Sequence, residues 1–261
     1  MTEPQIRFED GAGYERLMGV WSRSAGRTFL DWLAPKPTLA WVDVGCGNGA
    51  FTELLVERCA PVGIEGIDPS EAQLAFARQR PAASLANFRQ GDAMALPFAD
   101  RTFDAAVMAL VIFFVPEPAK GVAEMVRVTR PGGSVSAYAW DALGGGLPNE
   151  PIQVEMRAMG MASQLPPRAE ASGLQAMRAL WVGAGLVEVV TGEIGVTRTY
   201  ADFEEFWSIN FSVNLVSALK TWPAADVARL KERVRGRLSG DASGHITCVA
   251  RANAVKGRVP A

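Results

Sequence analysis

The chain has 261 residues, 49% of them hydrophobic and 21% charged, so it can bury a sizeable core within a single α/β domain. Its formal net charge of -2 excludes a global electrostatic preference for nucleic acid or for a membrane surface. The single histidine, His245, and the widely spaced cysteines predict neither a metal site nor a disulfide framework.

The N-terminal segment contains a predicted helix. It begins with the polar stretch MTEPQIRFED, which lacks the apolar region of a signal peptide and favours a cytoplasmic location. Leu17, Trp21, Ala25, Phe29 and Leu33 then recur every four residues and give the helix one apolar face. The stretch APKP ends this helix.

Strands and helices alternate from residue 39 to residue 140. In chain order they are strand TLAWVDVG, helix AFTELLVERCA, strand VGIEGIDP, helix SEAQLAFARQR, strand ANFRQGD, strand FDAAVMALVIFF, helix PAKGVAEMVRVTR and strand GSVSAYAW. Ser70 and Gln73 fit a capping box. The apolar run from Ala105 to Val115 is too short to span a bilayer and reads as a buried strand. The alternation predicts a parallel sheet with right-handed crossovers.

After residue 141 the alternation loosens. LQAMRALWVGAG reads as a helix, LVEVVTGEIGV as a strand and GHITCVARANAV as the final strand. Two further helical stretches, at about 150–165 and 200–239, look like insertions on the sheet core, and TWP interrupts the second of them.

The stretch VDVGCGNGAF raises the question of the ligand. Gly45, Gly47 and Ala50 satisfy the G-x-G-x-x-A pattern of dinucleotide-binding folds. Asp43 argues against a dinucleotide, because a carboxylate beside this turn would repel a pyrophosphate. The same carboxylate favours a cationic ligand without phosphate. S-adenosylmethionine, which has an ammonium and a sulfonium group, is such a ligand.

Two more acids end neighbouring predicted strands. Asp68 follows the glycines at a place where a carboxylate can accept both ribose hydroxyls. Asp92 ends the third strand, where it can accept a hydrogen bond from the adenine amino group while the Ala93 N–H faces a ring nitrogen. Ligands of open parallel sheets bind at the carboxyl ends of the strands, so the three acids indicate one nucleoside site.

Four motifs resemble, in order and spacing, those of the class I S-adenosylmethionine-dependent methyltransferases. They are VDVGCGNGAF, GIEGIDPSEAQLAFAR, GDAMALPFADRTFDAAVMALVIFFV and EMVRVTRPGGSV, and they cover residues 40 to 140. The resemblance is closest to the small-molecule branch (methyltransferase type 11) that includes the ubiquinone/menaquinone C-methyltransferases. It implies an α/β, Rossmann-like, seven-stranded sheet with the last strand antiparallel and helices on both faces.

The resemblance also implies one methyltransferase domain over the whole chain. Its parts would be an N-terminal helical lid (1–37), a cofactor-binding core (38–143) and two helical insertions (144–170 and 199–240) that cap the acceptor side. The lid would include Tyr14, Trp21 and Arg23, although Trp21 has the alternative of packing in the core.

S-adenosyl-L-methionine is the cofactor that the resemblance implies, with S-adenosyl-L-homocysteine as product. Asp43 and the loop from Gly45 to Gly49 would contact the methionine moiety, Asp68 the ribose, and Asp92 with Ala93 the adenine. The full predicted cofactor set is Asp43, Gly45, Cys46, Gly47, Asn48, Gly49, Asp68, Pro69, Asp92, Ala93, Met94, Leu110 and Trp21.

Methyl transfer from a sulfonium is an in-line displacement with a good leaving group, so the protein mainly aligns the reactants and excludes water. A general base is needed only if the acceptor must lose a proton, and the sequence assigns no catalytic residue. Weak candidates for such a base are Asp141, Glu150, Tyr200 and His245. For Asp141 and His245 the alternative is a purely structural position at a strand end.

The acceptor is expected to be a small and partly apolar molecule. Aromatic and methionine side chains of the insertions would suit it, or else form the insertions' own core: Met156, Met159, Met161, Phe203, Phe206, Trp207, Phe211 and Trp222. The sequence has no NPPY-like tetrapeptide, which amino-directed DNA and protein methyltransferases carry, and Phe113 and Phe114 end the fourth predicted strand. A nucleic-acid base or a glutamine side chain is therefore a less favoured acceptor.

Three alternatives stay open. The basic run RLKERVRGR (Arg229 to Arg237) could bind RNA or a protein target, or it could be a solvated helix face. The chain could also be a non-catalytic S-adenosylmethionine-binding module, or an NAD(P)-dependent oxidoreductase, which Asp43 disfavours. A homo-oligomer is compatible with the sequence but does not follow from it.

Overall fold

The computed structural model describes residues 19–161, 165–211 and 222–261. They form one seven-stranded sheet in the spatial order β3-β2-β1-β4-β5-β7-β6. The strands are β1 (Ala40–Val44), β2 (Gly63–Asp68), β3 (Ala86–Gln90), β4 (Phe103–Ala109), β5 (Thr129–Trp140), β6 (Val187–Tyr200) and β7 (Ile246–Arg258). The helices are α1 (Val20–Leu33), α2 (Ala50–Cys59), α3 (Glu71–Ala77), α4 (Pro118–Val128), α5 (Glu150–Ala158), α6 (Leu174–Gly183), α7 (Phe203–Phe211) and α8 (Ala224–Arg237). Across these ranges, each helix is too short or too polar to cross a lipid bilayer.

The strand directions confirm the predicted α/β, Rossmann-like sheet. β1 pairs in parallel with both β2 and β4, while β3 and β5 extend the parallel part on either side. β7 runs antiparallel to β5 and to β6. Because the strand order reverses between β1 and β4, a crevice opens at the carboxyl ends of these strands, where ligands of open α/β sheets bind.

Helix α1 confirms the predicted apolar face. Trp21, Ala25 and Phe29 are fully buried, and Phe29 stacks on Tyr138 of β5 with ring centroids 4.6 Å apart. The helix packs against α2 and β6. Residues 1–18 of the predicted lid, including Tyr14 and Leu17, lie outside the described residues.

The predicted end of the fourth strand is wrong. β4 ends at Ala109, and a short 3₁₀ helix over Ile112–Phe114 follows where the sequence predicted more strand. Leu110 turns the chain between them with a φ of 63°. A continuous apolar run reads alike in a buried strand and in the buried turn after it, so periodicity could not separate the two.

Two other local predictions have different outcomes. Ser70 Oγ accepts a hydrogen bond from the Gln73 N–H at 3.4 Å, which confirms the Ser70 half of the predicted capping box. The fifth strand was predicted to begin with GSVSAYAW, but β5 begins earlier. The residues PGG that follow α4 lie within it. The pairing with β4 is irregular there, since Phe103 pairs with Thr129 and Ala105 pairs with Ser134.

The helical insertions add their apolar side chains to the main hydrophobic core. Met156 and Phe206 are fully buried, and Phe203 stacks on Trp207 with ring centroids 6.1 Å apart. The buried Glu155 joins α5 to α8 through two arginines, described below. Residues 162–164 and 212–221 of the predicted helical stretches, and the side chain of Phe211, lie outside what the structure describes.

Candidate functional site

A cavity of about 890 Å³ opens at the carboxyl ends of β1, β2, β3 and β4. Small-molecule sites typically have volumes of about 300–1,000 Å³. Most of the predicted cofactor residues line the cavity: Gly45, Cys46, Gly47, Asn48, Asp68, Pro69, Asp92, Ala93, Met94 and Leu110. Asp43, Gly49 and Trp21 do not line it.

The glycine loop after β1 turns on residues with positive φ. The Gly45 N–H donates to Ile67 O at 2.7 Å and ties the loop to β2. A Cβ at Gly45, where φ is 77°, would stand 2.5 Å from the side chain of Val111, so the packing requires glycine. At Gly47, where φ is 53°, a Cβ would meet no atom of the described residues within 4 Å. Gly47 therefore presents an open backbone to the cavity.

Asp68 shapes this loop and lines the cavity at the same time. Its Oδ2 accepts from the Gly47 N–H at 2.9 Å, and its Oδ1 accepts from the Ser70 N–H at 2.9 Å. Burial raises the pKa of Asp68. Since a carboxylate offers about four lone-pair sites, both oxygens can still accept from a ligand hydroxyl. The sequence predicted the acid in the wall, but it did not predict the bond to Gly47.

Asp43 lies behind the loop and not in the cavity wall. It is fully buried, and its Oδ2 accepts from Thr52 Oγ1 at 2.6 Å. Its Oδ1 is also buried and has no hydrogen-bond partner among the residues that the structure describes. Burial raises the pKa of Asp43 to about 7, a shift that the Thr52 hydrogen bond opposes and the charge of Asp68 increases. Because Asp43 does not line the cavity, its carboxylate can influence a ligand there only through its charge.

Gly49 and Trp21 have packing roles. Gly49 precedes α2 with a φ of 79°, and a Cβ there would lie 3.0 Å from Ala77. Trp21 is fully buried, and its Nε1 donates to Tyr200 Oη at 3.2 Å. Ser22, the next residue of α1, lines the cavity together with Arg23. The N-terminal helix thus contributes to the wall through neighbours of the tryptophan that the sequence singled out.

The loop after β3 supplies another side of the cavity. Asp92 is exposed, and its Oδ1 accepts from the Met94 N–H at 2.8 Å. Across the crevice, Leu110 is held in its left-handed conformation while its N–H donates to Tyr138 O at 2.8 Å. A residue other than glycine is strained in the left-handed conformation, and such backbone strain is common at functional sites.

Sequence reasoning missed most of the apolar wall. Its residues come from α2, from the turn after β4 and from β5: Phe51, Leu54, Val111, Phe114, Val115 and Tyr138. A side chain that faces a cavity and one that faces the core look alike in a hydrophobic pattern, so no local signal marks them. The insertion residues that were predicted to face the acceptor, such as Met156 and Trp207, do not line this cavity.

The predicted general-base candidates lie elsewhere. Asp141 accepts from Arg251 at 2.6 Å, and Glu150 pairs with Arg157. Tyr200 is buried against Trp21, and His245 is exposed beside Asp241 in the turn before β7. These positions favour the structural alternative that the sequence offered for Asp141 and His245, and they place Glu150 and Tyr200 outside the cavity wall. Within the ranges described above, no group of His, Cys, Asp or Glu side chains could hold a metal ion.

Comparison with known proteins identifies the family that this arrangement resembles. Residues 42–137 match the methyltransferase domain family. The demethylmenaquinone methyltransferase of Desulfitobacterium hafniense (strain Y51) is 39% identical over 123 residues, which are 44% of this chain and 46% of that protein. The ubiquinone/menaquinone biosynthesis C-methyltransferase UbiE of Dinoroseobacter shibae is 34% identical over 128 residues, 48% of this chain and 50% of that protein. The chain thus spans about half the length of the curated relatives that it matches.

A solved structure supports the fold independently. Haemonchus contortus phosphoethanolamine N-methyltransferase 2, in complex with S-adenosyl-L-methionine, superposes with a TM-score of 0.58 at 16% sequence identity. The superposition covers 99% of this chain and 59% of that chain. Together the comparisons confirm the resemblance that the four sequence motifs predicted.

Proposed function

We propose, from the premise that residues 42–137 form a class I methyltransferase domain, that this chain binds S-adenosyl-L-methionine and transfers its methyl group to a small, partly apolar acceptor. The observation that carries the proposal is the hydrogen bond from the Gly47 N–H to the Asp68 carboxylate at 2.9 Å. It places an acid where a dinucleotide-binding loop would offer its N–H group to a phosphate.

The charges around the cavity support the same ligand. Asp43 lies beneath the glycine loop, and Oδ1 of this buried carboxylate has no partner within the described part of the chain. The charged residues that line the described cavity are Asp68, Glu71, Asp92 and Arg23, and the last of these already pairs with Glu57 at 2.7 Å. An acidic cavity repels a pyrophosphate and favours a cation.

The proposed cofactor fits the residues as follows. Asp68 would accept from the ribose, Asp92 with Ala93 would bind the adenine, and the loop from Gly45 to Asn48 would enclose the methionine part. When bound, the cofactor supplies a methyl group on a sulfonium, which the acceptor displaces in line. The protein's own contribution is to orient the two reactants and to exclude water.

The acceptor side of the proposal comes from the apolar wall and from the relatives. Phe51, Leu54, Phe114, Val115 and Tyr138 offer aromatic and aliphatic surface. The names of the curated relatives, a demethylmenaquinone methyltransferase and a ubiquinone/menaquinone C-methyltransferase, refer to quinone biosynthesis. We therefore propose a quinone-type or similar aromatic small molecule as the acceptor.

The basic run gives little support to an RNA target. Arg233 and Arg237 each donate to the buried Glu155 at 2.7 Å. Lys231 and Arg235 each donate to Glu204 at 2.6 Å. These pairs engage four of the five positive charges of the run and join α8 to α5 and α7. The run therefore contributes to packing between helices rather than forming a free phosphate-binding surface.

Calorimetry with two ligands tests the proposed function. Purified protein, checked for a co-purified ligand after denaturation and desalting, is titrated with S-adenosyl-L-methionine and with NADH. We expect micromolar binding of the first and no binding of the second, because the acids around the loop favour a cation and repel a pyrophosphate. Binding of NADH alone would refute the proposal and the roles assigned to the acids.

Substitution of Asp68 should weaken cofactor binding in graded steps. We expect Asp68→Ala to cost about 2–4 kcal/mol of binding free energy, since it removes charged acceptors for the ribose hydroxyls. Asp68→Asn keeps one acceptor oxygen and should lose less. Asp31→Asn, which changes an exposed carboxyl of α1 that does not line the cavity, serves as the control in the same titration. Unchanged affinity in both Asp68 variants would mean that the ribose lies elsewhere.

A further inference from the structure

Two side chains of α4 hold the loop that follows β3. Glu124 Oε2 accepts from the Leu96 N–H at 2.7 Å. Arg127 donates to Leu96 O at 3.0 Å and to Phe98 O at 2.8 Å, and it also donates to Asp100 Oδ1 at 2.8 Å. We call Glu124 and Arg127 the clip. It satisfies backbone donors and acceptors in the middle of the loop.

The clip is itself held in one geometry. Arg127 Nε lies 2.7 Å from Glu124 Oε1, and a terminal nitrogen of Arg127 lies 2.7 Å from Oε2. The hydrogen bond from Arg127 lowers the pKa of Glu124, so the carboxylate stays ionised. A two-point pair between a guanidinium and a carboxylate is planar and resists rotation. The clip therefore presents its acceptor and its donors to the loop in fixed positions.

The same face of α4 supports the part of the loop that lines the cavity. Gly121, three residues before Glu124, lies beside Ala93, because a Cβ there would stand 3.9 Å from Ala93 O. Ala93 and Met94 line the cavity, and Leu96 follows two residues later. The spacing of positions 121 and 124 puts both on one side of the helix. The helix thus supports the loop from behind at Ala93 and at Leu96.

We propose that Glu124 and Arg127 are positioning residues for recognition of the cofactor's base. Neither side chain lines the cavity, so the clip acts through the loop from Asp92 to Phe98. The Ala95 N–H donates to Asp92 O at 3.0 Å and fixes the shape of the turn. The clip fixes where that turn stands relative to the sheet. This inference rests on the proposed function, because it assumes a ligand with an adenine beside Asp92.

This role also gives the motif EMVRVTRPGG a meaning beyond the end of a helix. Its glutamate and its arginine are separated by three positions, so they meet on one helix face and can form the pair. Arg130, three positions further on, instead donates to Asp104 at 2.7 Å. Arg130 is therefore a matched control: an arginine of the same segment, in an ion pair of similar length, that leaves the loop from Asp92 to Phe98 untouched.

The test compares two ligands that differ only at the base. S-adenosyl-L-homocysteine and S-inosyl-L-homocysteine, which has a 6-oxo group in place of the 6-amino group, are titrated into wild type, Arg127→Lys, Glu124→Gln and Arg130→Lys. We expect Arg127→Lys to bind the adenosyl ligand roughly tenfold more weakly and to discriminate less between the two bases. Glu124→Gln should show a smaller effect, because its amide oxygen still accepts from Leu96. Arg130→Lys should keep the wild-type ratio.

The readout separates positioning from general loosening. If the clip variants keep the wild-type ratio of the two affinities, whether or not both ligands bind more weakly, the inference is overturned while the proposed cofactor stands. A wild-type protein that binds neither ligand would refute the proposed function, and the inference would fall with it. Thermal unfolding of each variant checks that the fold is retained, and Glu124→Gln keeps the test decisive if Arg127→Lys does not fold.

Discussion

Replacing Gly47 by alanine is expected to remove cofactor binding almost completely while leaving the fold intact. Within the part of the chain that the structure describes, the added Cβ would meet no atom within 4 Å, so it would project into the cavity that Gly47 lines. The left-handed backbone, with a φ of 53°, adds a cost of about 1 kcal/mol for a residue other than glycine. We expect the affinity for S-adenosyl-L-homocysteine to fall at least about 100-fold in calorimetry, which corresponds to about 2.7 kcal/mol.

Gly45→Ala is the matched variant. It should lower mainly the stability of the fold, whereas Gly47→Ala should lower mainly the affinity for the cofactor. Its Cβ would stand 2.5 Å from both Cγ atoms of Val111, which forces the packing to shift. We expect a loss of about 2–4 kcal/mol in the free energy of unfolding, from overpacking and from the positive φ. Adding Val111→Ala should restore part of this loss. Normal binding by Gly47→Ala, or wild-type stability of Gly45→Ala, would contradict the roles assigned to the loop.

Replacing Asp43 by asparagine is expected to stabilise the ligand-free protein at neutral and alkaline pH. The carboxylate is fully buried, and one of its oxygens finds no hydrogen-bond partner in the described ranges. Asparagine is neutral and keeps an acceptor for Thr52 Oγ1, so it avoids the cost of burying a charge. We expect a gain on the order of 4 kcal/mol in the free energy of unfolding at pH 8, measured by denaturant titration.

The pH dependence gives this prediction its sign. Burial raises the pKa of Asp43 from 3.8 to about 7, so between these values the folded state holds a proton that the unfolded state releases. The wild type therefore loses stability as the pH rises through this window, on the order of 4 kcal/mol in all. Asp43→Asn does not titrate at this position. Its advantage over the wild type should be small near pH 4 and reach its full size above pH 7.

Ligand binding should change in the opposite direction. The negative charge of Asp43 attracts a sulfonium more than a neutral thioether, so Asp43→Asn should lose more affinity for S-adenosyl-L-methionine than for S-adenosyl-L-homocysteine. Calorimetry near pH 7 in buffers of different ionisation enthalpy should also detect proton release in the wild type and none in the variant. An Asp43→Asn protein that is less stable at pH 8, or that keeps the wild-type ligand ratio, would contradict this account.

Much of the fold was predictable because its signals are local. Glycines and prolines mark where strands and helices end. The alternation of strand-like and helix-like hydrophobic periodicity indicates a parallel sheet. Asp68 and Asp92 were found in the cavity wall because acids at the ends of neighbouring parallel strands meet at one edge. The boundary at Ala109 was missed, since a buried strand and a buried turn share the same apolar composition.

The remaining parts of the site depend on contacts between distant segments. Asp43 was expected to contact the ligand, but it lies behind the glycine loop, where it accepts from Thr52. The pattern of a strand does not show whether a side chain reaches the cavity or stops behind its wall. For Trp21 the sequence left open a position at the cofactor or in the core, and only its N–H bond to Tyr200, far away in sequence, shows that it packs in the core. The clip at Glu124 and Arg127 was visible only as a motif, because its partners are backbone atoms of another loop.

The left-handed turn at Leu110 has a consequence for the evolution of this chain. A leucine with a φ of 63° gives up about 1–2 kcal/mol that glycine would not lose. Selection for thermal stability alone would favour replacing Leu110 by glycine. The cavity would then lose the part of its wall that the leucine side chain forms. At such a position, a substitution that raises stability is expected to lower activity. Stabilising substitutions chosen by consensus should therefore avoid the residues that line the crevice.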